Sequence, residues 1–224
     1  MNKIGNIVDM KEIAGEMRYD GVTVLSYRIE YPYVKSSVYK SFLGPINQFY
    51  KNRALKYQYY CQTKLFAMAV EQYLHDKKSG YPERAYDATL TNTITYNSDC
   101  IISLYSDRYE FTGGAHGSTV RSSQTWNLQN GQMLRIGDLF NTLFNYRRYI
   151  INEVIRQIRE NPEPYFENYE TLVEQYFDPN SFYCTPNGLV VYYQQYEIAP
   201  YASGIREFLL PYNQNIQNPI NKCR

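Results

Sequence analysis

Histidine is scarce in this chain: His75 and His116 are the two among 224 residues. Catalytic zinc usually takes three protein ligands, and neither His-x-x-x-His nor His-Glu-x-x-His occurs, so the sequence predicts no metal and no other cofactor. The four cysteines, Cys61, Cys100, Cys184 and Cys223, form no Cys-x-x-Cys pair, which excludes a zinc ribbon or a thioredoxin-like site. There is no Gly-x-Gly-x-x-Gly after a strand and no Gly-x-Ser-x-Gly elbow. No run approaches the ~20 apolar residues of a membrane span. The opening residues hold no apolar run of signal-peptide type, which leaves a cytoplasmic location and an exported, trimmed product both open. Charge is also lacking in sign: 23 basic against 22 acidic residues give +1, without the basic excess of a nucleic-acid surface. No internal repeat or low-complexity stretch is present.

Tyrosine is plentiful, with 26 residues. Its apolar ring and polar tip suit half-buried strands and wet interfaces, and part of the excess fits a chain also rich in Asn, Ile and Lys. Residues 22–34 alternate, with Leu25, Tyr27, Ile29 and Tyr31 on one face of a strand. A long helix is expected to start at Ser36 or Ser37 and reach about His75, its stripe being Ile46, Tyr50, Ala54, Tyr57, Cys61, Leu65 and Met68. Gly80 and Pro82 end it. Three strand-like segments follow at 85–97, 100–111 and 118–128. Asn130-Gly131 then signals a hairpin and a short strand ending near residue 140. A helix over about 144–160 presents Ile151, Val154, Ile155 and Ile158. A shorter one within 164–177 presents Phe166, Tyr169, Leu172 and Tyr176. A hairpin turning at Pro186-Asn187-Gly188 and a strand over 204–212 complete the order. Strands cluster and strict βαβ alternation is missing. The fold class is therefore α+β: an antiparallel sheet or sheets packed by a long helix from the N-terminal half and two helices from the C-terminal half. One compact unit of two packed halves, about 20–112 and 113–213, with a short polar C-terminal tail, is expected. In an oxidising compartment the cysteines permit more than one pairing; Cys61, on the helix stripe, reads as a buried thiol.

The stretch Phe-Thr-Gly-Gly-Ala-His-Gly-Ser-Thr, 111–119, is the strongest candidate for chemistry. A serine mechanism would use Ser118 with His116 as base and Asp107 or Glu110 as orienting acid. Neighbours two apart on a strand diverge too far for an easy nucleophile–base bond. The paired acids Glu163 and Glu167 fit a solvated helix face, and the cysteines other than Cys223 sit in regular elements. A structural turn explains the stretch better. Gly113, Gly114 and Gly117 permit positive φ and close backbone approach, with His116 as a half-buried hydrogen-bonding residue that fixes the turn.

In order, "FTGGAHGST", "LQNGQMLRIGDLF" and "TPNGLVVYYQQYEIAPYASGIREFLLPY" resemble a bacterial pair of adjoining domains of unknown function. That pair forms the extracellular region of lysozyme-sensing anti-sigma-V factors and precedes the catalytic domain of peptidoglycan deacetylase PdaC. The specific motifs lie between Gly113 and Tyr212; the segment from about Val22 to Phe111 matches in its pattern of elements. The resemblance implies an extracytoplasmic, non-catalytic binding module whose partner is a protein, with lysozyme a candidate, or peptidoglycan. Signalling and deacetylation are not carried over, since the chain shows no membrane helix, sigma-binding segment or deacetylase domain. The loop 196–204 offers Tyr196, Pro200 and Tyr201 as partner-binding residues, because aromatic rings anchor interfaces and proline stiffens the backbone. Its plainer role is a packed connection between strands. The alternative function is a hydrolase or deacetylase on envelope polymers, working through His116 and nearby acids.

Overall fold

The computed structural model describes residues 6–141 and 145–223. The fold is α+β, with nine strands in two sheets among the described residues and helices over their outer surfaces. Six strands form the larger sheet in sequence order: β1 Ile7–Tyr19, β2 Val22–Lys35, β3 Tyr86–Ser98, β4 Ile101–Phe111, β5 Ser118–Asn127 and β6 Gln132–Met133. Neighbours are antiparallel except β2 and β3, which run parallel because the long helix carries the chain back across the sheet between them. That parallel pair departs from the purely antiparallel expectation.

Strand β1 is absent from the sequence-based expectation. It is an edge strand whose charges mask its alternation. Asp9 pairs with Lys35 (2.6 Å) and Glu12 with Arg28 (2.7 Å) across to β2, while Ile13 and Met17 pack beneath the helix. The Asp20-Gly21 turn, at φ 50° and 78°, has the left-handed geometry that a two-residue hairpin demands.

The long helix begins at Leu43, later than expected, because the Ser36 hydroxyl accepts from the amides of Val38 and Tyr39 and holds a turn there. It runs as α1 Leu43–Tyr60, one wide π turn over Cys61–Leu65, and α2 Phe66–Ser79. The wide turn advances the apolar stripe by one residue. Ile46, Tyr50, Ala54, Tyr57, Cys61 and Leu65 are buried as expected, but Ala69 and Tyr73 continue the stripe and Met68 is exposed. Gly80, at φ 71°, caps the end.

The C-terminal half supplies α3 Tyr146–Glu160, α4 Tyr169–Gln175 and a second sheet of β7 Phe182–Thr185, β8 Gly188–Tyr193 and β9 Arg206–Pro211, in that order. The expected helix start at residue 144 lies outside the described residues. On α3, Ile150 joins Ile151, Val154 and Ile158 in the core, while Ile155 is half-buried. On α4 the inward residues are Val173 and the following Phe177, with Tyr176 turned out.

Strand β4 shows how the layers meet. Ile102 and Leu104 point to the helix, beside Ile46, Tyr50 and Trp126. Ile101, Ser103 and Tyr105 point the other way: Ile101 joins the core of Val154, Cys184 and Phe208, and Ser103 Oγ accepts from the Cys184 amide at 2.9 Å. The chain then returns to this junction. Cys223 is disulfide-bonded to Cys100, Ile216 is buried, and Asn127 donates to the Lys222 carbonyl at 2.9 Å. The expected polar tail is thus packed against the core. Cys61 and Cys184 are free and buried, and burial pushes each thiol up to about 12.

Candidate functional site

Strand β6 pairs only with the Trp126–Asn127 end of β5. Further up, the open edge of β5 turns alternate backbone groups outward, and buried groups of this kind need partners. The segment after β8 supplies them from its side chains. Gln195 Oε1 accepts from the Thr119 amide (2.8 Å), and Gln194 Oε1 accepts from the Arg121 amide (2.9 Å). Gln194 Nε2 donates to the Arg121 carbonyl (2.8 Å), and the Tyr201 hydroxyl donates to the Gly117 carbonyl (2.7 Å). These four bonds hold the loop along the strand edge, in place of a further strand. The loop's other side is fixed by the Phe166 amide on the Ile198 carbonyl (3.1 Å) and by Ser203 Oγ on the Pro164 carbonyl (3.0 Å). Within it, the Glu197 carboxylate accepts from the Gln194 amide at 2.7 Å; burial raises its pKa despite that bond.

The two stretches singled out in the sequence therefore meet. The His116 ring stacks on Tyr201, with centroids 3.8 Å apart and planes 17° apart, and Tyr196 lies against the other part of the cluster at 5.6 Å from Tyr201. Tyr196 is 57% exposed and sits at φ 68°. Pro200 is exposed and Tyr201 half-buried. Gly113 lies at φ 81°. Gly117 is buried, and a Cβ there would stand 2.3 Å from the Tyr109 ring, so only a glycine lets that ring cross. Gly114 is exposed, its carbonyl accepting from Arg84 at 3.0 Å.

His116 differs from expectation. It is exposed, and its Nδ1 stands a long 3.4 Å from the Gly117 carbonyl. The Tyr201 hydroxyl takes that carbonyl at shorter range, so the imidazole contributes its face to the cluster and leaves the turn to be fixed by others. The acids proposed as its partners are engaged elsewhere. Asp107 receives Arg121 through two 2.7 Å bonds, and Glu110 accepts from the hydroxyls of Tyr57 (3.0 Å) and Tyr60 (3.3 Å). Among the described residues, no three of His, Cys, Asp and Glu converge as a metal site would require. None of the described helices is long and apolar enough to cross a membrane.

Arg121 joins the site to the body of the fold. Its guanidinium lies 3.6 Å from the Tyr105 ring centroid and also pairs with Glu207 on β9, which accepts from the Tyr183 hydroxyl at 2.9 Å. Burial opposes the Arg121 charge, and the hydrogen bonds and charges of Asp107 and Glu207 outweigh it, raising its pKa. Sequence reasoning passed over Arg121, Gln194 and Gln195. The consecutive glutamines at the end of an apolar strand were the available signal.

Fold and site together define a class: a two-sheet α+β module that carries an aromatic loop on a sheet edge. The comparisons narrow it. Residues 22–119 match the family model described as deacetylase PdaC, and residues 137–213 match the one described as a protein of unknown function, DUF3298. A member of the DUF3298 family from Bacteroides fragilis is similar in structure, with a TM-score of 0.71 and 19% identity over 98% of this chain and 97% of that chain. A DUF3298 family protein from Pseudomonas aeruginosa has a TM-score of 0.58 and 17% identity over 95% of each chain. Identities this low carry the fold alone. No curated protein matches the chain. The deacetylase and DUF3298 parts of the resemblance thus have family matches; the anti-sigma context rests on the sequence motifs.

Proposed function

We propose that this chain is a non-catalytic binding module of the bacterial cell envelope. Its recognition surface is the cluster of Tyr196, Pro200 and Tyr201, with His116 stacked behind it. The partner is a protein, for which the sequence resemblance offers lysozyme, or a cell-wall glycan. The observation that carries this reading is Tyr196: a bulky side chain at φ 68° with its ring largely in solvent. The left-handed conformation costs a non-glycine residue about 1–2 kcal/mol. Strain of that kind persists where surrounding contacts enforce it and where function uses it. Here the strained backbone presents a rigid aromatic ring, the side-chain type that dominates binding hot spots. Gly113, Gly114 and Gly117 serve structurally, allowing the turn that sets His116 against Tyr201. The Cys100–Cys223 disulfide supports an oxidising, extracytoplasmic location.

Calorimetric titration with a c-type lysozyme, and separately with soluble peptidoglycan fragments, tests the reading. Saturable binding of one of them, lost when a bulky group is introduced at the exposed Ala202, is the expected result. Absence of binding to both would overturn it.

A further inference from the structure

A second feature lies on the helix-covered face of the larger sheet, away from the aromatic loop. Where α1 passes β4 and β5, a cleft of about 440 Å³ stays open between them. Its floor is one rung of the sheet, Leu90 opposite Arg108 opposite Val120. Its helix wall carries Arg53, Lys56 and Tyr60. Arg53 and Lys56 are one turn apart and so share a helix face.

The charges in this cleft do not balance. Among the described residues, neither Arg53 nor Lys56 forms an ion pair. Arg53 is half-buried, lies 5.5 Å from the Phe49 ring centroid, and donates to the neutral Ser122 hydroxyl at 2.7 Å. Burial lowers its pKa, and the charge of Arg108 pushes in the same direction. Arg108 has a partial counter-charge in Glu110, at 3.4 Å, but that carboxylate also serves the Tyr57 and Tyr60 hydroxyls. Three cations thus converge with one shared acid, in a cleft whose remaining walls are apolar or aromatic apart from the Ser122 hydroxyl. Arg53, half-buried without a carboxylate partner, is costly to hold, and an anion entering beside it and the more exposed Lys56 and Arg108 would relieve that cost.

We propose that the cleft binds the oxyanion of a small acidic ligand, a carboxylate or phosphate on a ring-bearing body, with Arg53, Lys56 and Arg108 taking the charge. Leu90, Val120 and Tyr60 then cover the ligand's less polar face. The volume suits a small molecule, and pockets of this type pair an apolar lining with a few placed polar groups. The site uses none of the residues of the aromatic cluster, so it stands or falls independently of the partner-binding surface.

The test is nitrogen–proton NMR of the intact chain, following the arginine Nε–H signals assigned through Arg53→Lys and Arg108→Lys. Glucuronate, glucose 6-phosphate and glucose serve as probes at millimolar concentration and matched ionic strength. The Arg53 and Arg108 signals should shift saturably with at least one anionic sugar and stay unmoved by glucose. Response to glucuronate alone identifies a carboxylate ligand, and response to glucose 6-phosphate alone a phosphate. Lys56→Gln changes an exposed side chain and should weaken binding about tenfold while the amide spectrum is retained. No saturable shift with either anion, the same shift with sodium chloride, or unchanged affinity in Lys56→Gln combined with Arg53→Gln would overturn the proposal.

Discussion

The two faces of the larger sheet are built on different principles. Under the long helix the core is mainly apolar, with Leu25, Ile29, Ala54, Cys61 and Leu65 buried in a continuous cluster. Polar contacts there are few, such as Trp126 Nε1 to the Tyr50 hydroxyl and the hydroxyls of Tyr57 and Tyr60 to Glu110. Towards the second sheet the contacts include a polar seam. Ser103 bonds Thr125 (2.7 Å) and the Cys184 amide, Ser123 meets the Tyr192 hydroxyl (3.1 Å), and Arg121 joins Asp107 to Glu207. Burial of the first kind is non-directional and tolerates a slip in register, as the π turn shows. Bonds of the second kind are directional, and they fix where β8 ends and therefore where Gln194, Gln195 and the aromatic loop lie on β5. The apolar face supplies cohesion, and the polar seam supplies placement.

The difference can be tested first where the seam is closed covalently. The disulfide spans 123 residues. Its removal in Cys100→Ser/Cys223→Ser should cost about 5 kcal/mol by the chain-entropy argument, measured as a lowered midpoint in urea with a steeper slope, because the unfolded chain freed of the crosslink exposes more surface. A thiol-reagent count adds a check: Cys61 and Cys184, buried with thiols pushed up to about 12, should stay unreactive at pH 8 in the folded protein and both react in denaturant. Rapid reaction of either in the native state would contradict this packing. Within the seam, Arg121→Met keeps the aliphatic bulk but strands Asp107. It should lower stability by about 3 kcal/mol, whereas Glu207→Gln, removing a more exposed partner, should cost under about 1 kcal/mol. Equal effects would mean that the seam is no more directional than a surface pair.

Smaller effects are expected at the turn. Gly117→Ala forces the Tyr109 ring aside and should cost about 2 kcal/mol. At Gly113 an added Cβ has room, 3.7 Å from Tyr86, so the penalty of Gly113→Ala is that of φ 81° alone, about 1 kcal/mol. Thermal denaturation of both variants gives the comparison, and a larger loss at Gly113 would reverse it.

What was legible in the sequence follows the same division. Periodic apolar residues announce a face, so the helix stripe from Ile46 to Leu65, the hairpin at 186–188 and the α+β class were readable. The slip to Ala69 and Tyr73 was not, because a π turn adds a residue without changing residue type. Strand β1 was missed because edge charges such as Asp9, Lys11 and Glu12 dilute its alternation, although Asp20-Gly21 marked the hairpin. The Cys100–Cys223 pair depends on the chain's return, which spacing does not encode. Gly113, Gly117, Tyr196 and Tyr201 stood out by composition. Their meeting did not, since it runs through glutamine side chains on backbone amides, a contact without periodic signature.

In the proposed role the loop sacrifices some stability to present Tyr196, and one substitution tests this directly. Tyr196→Gly relieves the left-handed backbone at φ 68° and deletes the exposed ring. The variant should be as stable as the parent or up to about 1 kcal/mol more stable. Its affinity for whichever of lysozyme or peptidoglycan fragment binds the parent should fall about thirtyfold, the loss of a ~2 kcal/mol hot spot. Denaturant unfolding and calorimetry on the same sample read both quantities. Stability unchanged or higher with binding lost is the predicted outcome. A marked loss of stability with affinity intact would show that Tyr196 is packing, and that recognition lies elsewhere.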